Sequence, residues 1–132
     1  ATLLAKEAGA KRAVLLPVSV PSHCSLMTSA ASEFAARLAQ VEISSPQIPV
    51  IQNVDAAAHA DPVAIRENLG RQLYSPVQWV RSIQAMGAQG VTRIIEAGPG
   101  KVLAGLCKRI DKSIDAAAVH DATSLASALS ES

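Results

Sequence analysis

Arg93-Ile94-Ile95-Glu96-Ala97-Gly98-Pro99-Gly100-Lys101-Val102-Leu103 is the stretch that decides the fold. Arg93 to Ala97 is short and apolar enough for a strand, Gly98-Pro99-Gly100 stops it with a tight turn, and Val102, Leu103, Leu106 and Ile110 then recur at helical spacing. Lys108, Arg109 and Lys112 sit where the negative pole of that helix falls. Beyond it, Ile114 to Val119 reads as another strand and Ala122 to Leu129 as a closing helix. Parallel strands cannot be joined by a short turn, so strands alternating with helices predict an α/β layer structure with mostly parallel strands.

The same alternation extends toward the N-terminus. Ala1 to about Ala8 reads as helix with Gly9 as its C-cap, and Arg12 to Val18 as a short buried strand bounded by Pro17. Leu26, Ala30, Phe34, Leu38 and Val41 form one face of an amphipathic helix, with Ser29, Ser32, Glu33, Arg37 and Gln40 opposite. Ile48 to Gln52 reads as a strand running into an Asn53-Val54-Asp55 turn, and Ala56 to Ala60 as loop. Asp61-Pro62 is an N-cap followed by a first-turn proline; Ile65, Leu69 and Leu73 mark the buried side of the helix it opens, and Gln72 shares that side. Ser75-Pro76-Val77-Gln78 has the form of a capping box, opening a helix that buries Trp79, Ile83 and Met86 and stops near Gly90.

Composition narrows the function. Of the 132 residues 49% are hydrophobic but only 2% aromatic, so the core is built of Ala, Val, Leu and Ile, as in helices packed on a buried sheet. A formal net charge of +1, with Lys11-Arg12 and Lys108-Arg109 as isolated pairs, gives no electrostatic case for a nucleic-acid partner. No apolar run approaches the roughly 18 residues of a membrane span. No signal peptide is expected from these residues, and Cys24 and Cys107 show no metal-ligand spacing with His59 or His120, which predicts a reducing, cytoplasmic setting and no metal. His59 and His120 read as solvated positions in a loop and at a strand end. The opening Ala1-Thr2-Leu3-Leu4-Ala5-Lys6-Glu7 has the character of a mid-helix, so the chain is expected to derive from a longer protein.

The candidate chemistry centres on Pro21-Ser22-His23-Cys24, at the expected junction of strand and helix. An imidazole accepts a hydroxyl proton near neutral pH and returns it to a leaving group, as two-step acyl transfer requires. A lone histidine more often has a purely structural place, and the residues alone leave both readings open. Gln72 is likewise compatible with helix packing, and Asn53 with an ordinary Asx turn. Cys24 is too close in sequence to His23 for a productive thiol and base pair. Gly98-Pro99-Gly100-Lys101 suggests an anion loop, yet a Walker motif needs glycine at position 95 and Ser or Thr at 102, where Ile95 and Val102 stand, so the turn reads as structural.

The Pro-Ser-His step, Arg71-Gln72-Leu73-Tyr74-Ser75-Pro76-Val77-Gln78-Trp79 and Glu96-Ala97-Gly98-Pro99-Gly100-Lys101-Val102-Leu103 stand in the same order and spacing as in the bacterial malonyl-CoA:acyl carrier protein transacylases of fatty acid synthesis. Nearly the whole chain resembles the C-terminal part of that family. The resemblance implies an α/β-hydrolase-like large domain interrupted by a small ferredoxin-like domain, so that residues 1–18 are the small domain's last helix and strand and residues 19–132 return to the large acyltransferase domain. It implies that His23 is the general base, that the Gln72 main-chain carbonyl fixes its tautomer, and that Asn53 lines the substrate pocket. The implied partners are malonyl-CoA, acyl carrier protein and an N-terminal segment of the same enzyme, with no cofactor. That segment carries the G-x-S-x-G serine, which this sequence lacks, and the malonate-binding arginine, a role no arginine here is assigned. A polyketide synthase acyltransferase domain and a non-catalytic anion-binding α/β module are the rival readings.

Overall fold

The structure is a computed structural model that describes residues 1–15 and 17–130. In chain order it contains α1 (Thr2–Glu7), a 3-10 turn (Ser25–Met27), α2 (Thr28–Leu38), β1 (Ile51–Gln52), β2 (Ala57–Ala58), α3 (Pro62–Gln72), α4 (Trp79–Ala88), β3 (Arg93–Ala97), α5 (Val102–Ile110), β4 (Asp115–Val119) and α6 (Ala122–Ser130). No described helix is long and apolar enough to cross a membrane.

The deciding stretch folds as its sequence dictates. Strands β3 and β4 pair in parallel, with Arg93 opposite Asp115 and Ala97 opposite Val119, and α5 makes the crossover between them. The ladder is extended by Asp115 N–H to Thr92 O (2.9 Å) and Gly98 N–H to Val119 O (3.1 Å). Between this pair and its helices lies a core of Ile83, Ala104, Cys107, Ile114 and Ala116, with Trp79, Met86, Ile94, Ile110 and Ala118 packed around it.

The inward face of α5 is Ala104 and Cys107, and not the expected Val102, Leu103 and Leu106; Val102 is 70% exposed. Small side chains let the helix approach the alanine-rich β4, whereas the larger aliphatics on the adjoining face have no described partner to cover them. Burial in this core pushes the Cys107 thiol up from its ordinary value.

In the N-terminal half, α2 packs on α3. Its buried residues are Ala31 and Leu38, with Met27 and Phe34 half-buried on the same stripe; Phe34 and Leu38 thus face inward as expected, while Leu26, Ala30 and Val41 face outward and Met27 and Ala31 take the places expected of Leu26 and Ala30. The strand expected over residues 12–18 is not formed at the described positions: a strand exists by pairing, and residues 12–15 and 17–18 have no ladder partner among the described residues, while Leu16 lies outside them. Only Ile51 and Gln52 of the expected Ile48–Gln52 strand form a ladder. They pair antiparallel with Ala57 and Ala58, inside the expected loop, across a turn in which Ala56 N–H reaches Gln52 O at 2.9 Å. Among the described residues the strands are therefore one parallel pair and one antiparallel pair, in place of a mostly parallel set.

Helix termini follow the sequence at three of four expected points. Helix α1 closes with Ala10 N–H on Ala5 O and Gly9 N–H on Lys6 O, the Schellman arrangement that requires the positive φ of Gly9 (+91°). Helix α4 closes identically at Gly90 (φ +86°). Helix α3 starts at Pro62 under Asp61, whose carboxylate accepts from Val63 N and Ala64 N. The Ser75–Gln78 capping box is not used. Its closure needs the Gln78 N–H, and that group instead donates to Asn53 O at 2.7 Å, so α4 begins three residues later than the box places it, at Trp79.

Candidate active site

The last turn of α3 leaves main-chain carbonyls without partners inside the helix. Two consecutive ones are taken by a single residue 49 positions away: His23 Nδ1 lies 2.9 Å from Gln72 O, and the His23 main-chain N–H donates to Leu73 O at 2.9 Å. A carbonyl oxygen only accepts, so Nδ1 carries a proton, and in the neutral imidazole the lone pair is then on Nε2. The residue is exposed.

His23 reaches this pose through a left-handed backbone (φ +63°), a conformation that costs a non-glycine residue about 1–3 kcal/mol. The bracing around it is local. Ser22 N–H donates to Val20 O (2.8 Å), Cys24 Sγ donates to Pro21 O (3.2 Å), and the 3-10 turn Ser25–Met27 leads directly into α2. Cys24 Sγ is thus directed at a carbonyl, in line with its exclusion as a thiol nucleophile.

Asn53 is joined to the same segment from its other end, since its carbonyl accepts the Gln78 N–H. Residues 72–78 are therefore held at the front by His23 and at the back by Asn53. The Asn53 side chain is half-buried and has no hydrogen-bond partner among the described residues.

Sequence reasoning missed a polar cluster beneath this segment. Asn68, on the inward side of α3 and 4% exposed, donates through Nδ2 to Gln52 Oε1 (2.9 Å) and to Asp55 Oδ2 (2.8 Å), while Arg71 Nη1 donates to Asn68 Oδ1 (2.9 Å). Gln52 Nε2 extends toward Ile65 O at 3.4 Å. Desolvation pushes the Asp55 carboxyl up, but hydrogen bonds from His59, Asn68 and the Ala57 N–H outweigh it and hold the group below its ordinary value. His59 belongs to this cluster, 2.8 Å from Asp55 Oδ2 and half-buried, which corrects its reading as a solvated loop residue. His120 is exposed, 3.6 Å from Asp121. The available signal was an asparagine between Ile65 and Gln72 on an otherwise apolar helix side: a buried amide must be bonded, and such a position announces a network.

The Gly98–Lys101 turn carries its own anion. Glu96 Oε2 accepts the Ala104 N–H at 2.8 Å, filling the N-terminus of α5 with a carboxylate from the preceding strand. A phosphate there would meet like charge, so the geometry speaks against the anion-binding module.

A groove of about 380 Å³ runs between α2 and α3, with Thr28 and Ser32 on one wall and Glu67, Arg71 and Tyr74 on the other.

No protein-family model matches the chain. Among curated proteins it is 52% identical over 126 residues to a malonyl CoA-acyl carrier protein transacylase of Salmonella typhimurium, covering 96% of this chain and 41% of that protein. A crystal structure of malonyl-CoA:acyl carrier protein transacylase from Xanthomonas oryzae superposes with a TM-score of 0.92 at 51% identity, covering 98% of this chain and 41% of the other. A malonyl-transacylase in complex with its type II PKS acyl-carrier protein superposes with a TM-score of 0.90 at 50% identity, covering 96% and 41%. The chain thus spans about two fifths of the length of the relatives it matches. In sequence and in fold it corresponds to the C-terminal part of the malonyl CoA-acyl carrier protein transacylases.

Proposed function

We propose that this chain supplies the proton-carrying half of a malonyl-CoA:acyl carrier protein transacylase of fatty acid synthesis. The observation that carries the reading is the imidazole of His23 held by the Gln72 carbonyl with Nε2 free. Its chemistry is general base and general acid in turn. A serine hydroxyl on an N-terminal segment of the same enzyme gives its proton to Nε2 and attacks the malonyl thioester. The C–S bond breaks and the proton passes to the coenzyme A sulfur. In the second half-reaction Nε2 takes the proton from the phosphopantetheine thiol of acyl carrier protein, the thiolate attacks the malonyl-serine ester, and the serine oxygen recovers the proton. Atoms and charge balance without a metal or redox step. Asn53, whose amide is uncommitted, lines the acyl pocket in this reading.

The same reading assigns residues 19–132 to an α/β-hydrolase-like large domain and residues 1–18 to the end of a ferredoxin-like small domain, in a cytoplasmic enzyme. The exposed aliphatics Leu15, Val18 and Val20, beside the site loop, are of the kind an N-terminal segment would cover.

Mixing this chain with the complementary N-terminal segment and following malonyl transfer to acyl carrier protein tests the proposal. Activity is expected from the mixture and not from either part. Turnover by this chain alone, purified free of host enzyme, would refute the division of labour, because a triad-type site without its nucleophile loses on the order of a millionfold in rate.

A further inference from the structure

The contacts of Asn68 lead from the buried cluster to the imidazole. Its side chain is placed in one orientation: Asp55 is a pure acceptor when ionised, so Nδ2 must face it, and Oδ1 is then left to accept from Arg71. The second Nδ2 hydrogen goes to Gln52 Oε1. Gln52 is on β1 and Asp55 in the turn that follows, so one carboxamide fixes α3 to the β1–β2 hairpin. In helix geometry the main-chain carbonyl of Asn68 receives the N–H of Gln72, the residue whose own carbonyl holds the His23 ring. The hairpin meets the same segment again where Asn53 O accepts from Gln78 N–H. The acceptor of the imidazole thus lies between two attachments to one hairpin.

We propose that Asn68 is a positioning residue for His23: its buried amide sets where the last turn of α3 ends, and through the Gln72 carbonyl it sets the tautomer and aim of the ring. The inference rests on His23 acting as the base. Asn68 touches no substrate. Its effect is exerted on kcat through the imidazole, because displacements of about 1 Å in a reacting group are enough to cost on the order of a hundredfold in rate.

The test uses the complete transacylase with 15N-labelled histidine, comparing wild type with Asn68→Ala. In the wild type the 15N shifts of the His23 ring report a protonated Nδ1 and an unprotonated Nε2. In the variant the signals move toward a tautomer mixture, and kcat for malonyl transfer falls about tenfold or more with KM within about twofold. A folded variant whose ring shifts and kcat match the wild type overturns the proposal. Should Asn68→Ala fail to fold, Asn68→Ser takes its place, since a hydroxyl near Asp55 cannot also span to Gln52 and Arg71; the same shift supports the proposal and an unchanged ring overturns it. Failure of the transacylase reading has a different mark: His23→Ala then leaves malonyl transfer intact, while the ring shifts still report whether Asn68 governs the imidazole.

Discussion

His23 and Gln72 meet through a ring nitrogen and a main-chain oxygen, 2.9 Å apart, with no carboxylate at that nitrogen. The orienting group is supplied by the backbone, and the identity of the side chain at position 72 is secondary to where the helix stops. In the complete enzyme His23→Ala is therefore expected to lower malonyl transfer by about a thousandfold or more, whereas Gln72→Ala, which keeps the oxygen, lowers it by less than about tenfold. Steady-state kinetics on the two variants checks the contrast; equal losses would mean that the glutamine side chain carries the role.

The buried amide of Asn68 also bears on stability. Asn68→Ala strands Gln52 Oε1 and removes a donor from Asp55, and the expected loss is about 2–4 kcal/mol, read as a lower urea midpoint. Arg71→Met, which removes one bond at the exposed edge of the cluster, should cost less than about 1.5 kcal/mol.

Acid should weaken the same cluster. The Asp55 carboxyl is held below its ordinary value of 3.8, so in the window between the unfolded and folded values the unfolded chain binds more protons. Its contribution is complete above the ordinary value and is lost as pH falls through the folded one. Asp111, held low chiefly by the Ser113 hydroxyl, and Asp121, held low chiefly by the Ser124 N–H, act in the same direction at the surface. Thermal unfolding followed between pH 6 and about pH 3 should show a declining midpoint, and Asp55→Asn should flatten that decline. An unaltered acid limb in the variant would remove Asp55 from the account.

In the other half of the chain, Ile83 is fully buried between α4 and the β3–β4 pair, and Ile83→Ala is expected to cost about 2–5 kcal/mol in denaturant titrations. Glu96→Ala should cost about 0.5–2 kcal/mol through the lost bond to Ala104 N–H. Lys101→Ala should leave malonyl transfer within about twofold, since nothing in the site reading uses that side chain. A large loss at Lys101 would reopen the anion reading.

Local chemistry made part of this fold readable in advance. Asp61-Pro62 announces a helix start because both the cap and the fixed φ act within one turn, and Gly9 and Gly90 announce helix ends for the same reason. The β3–α5–β4 unit was legible because its glycine turn and apolar runs leave few alternatives. Features set by tertiary partners were not. The capping box at Ser75 lost its N–H to Asn53, Ala57–Ala58 became a strand only because β1 lies beside it, and the inward face of α5 was chosen by what fits against alanines. At the site, His23 and Gln72 were found through a resemblance, since nothing in residue spacing brings positions 23 and 72 together. Asn68 was visible as an anomaly on an apolar stripe, but its partners lie on another element.

Holding the imidazole by the end of a helix turns α3 into a ruler. The Asp61 cap fixes one end of that ruler and the Gln72 carbonyl reads off the other. One residue inserted or deleted between them would swing the terminal oxygen by about 100° and displace it by about 1.5 Å along the axis, detaching the ring whatever residue was chosen. Apart from Asn68 and the capping Asp61, substitutions within this stretch are forgiving by comparison, so drift in the rest of its composition should be tolerated where drift in its length is not.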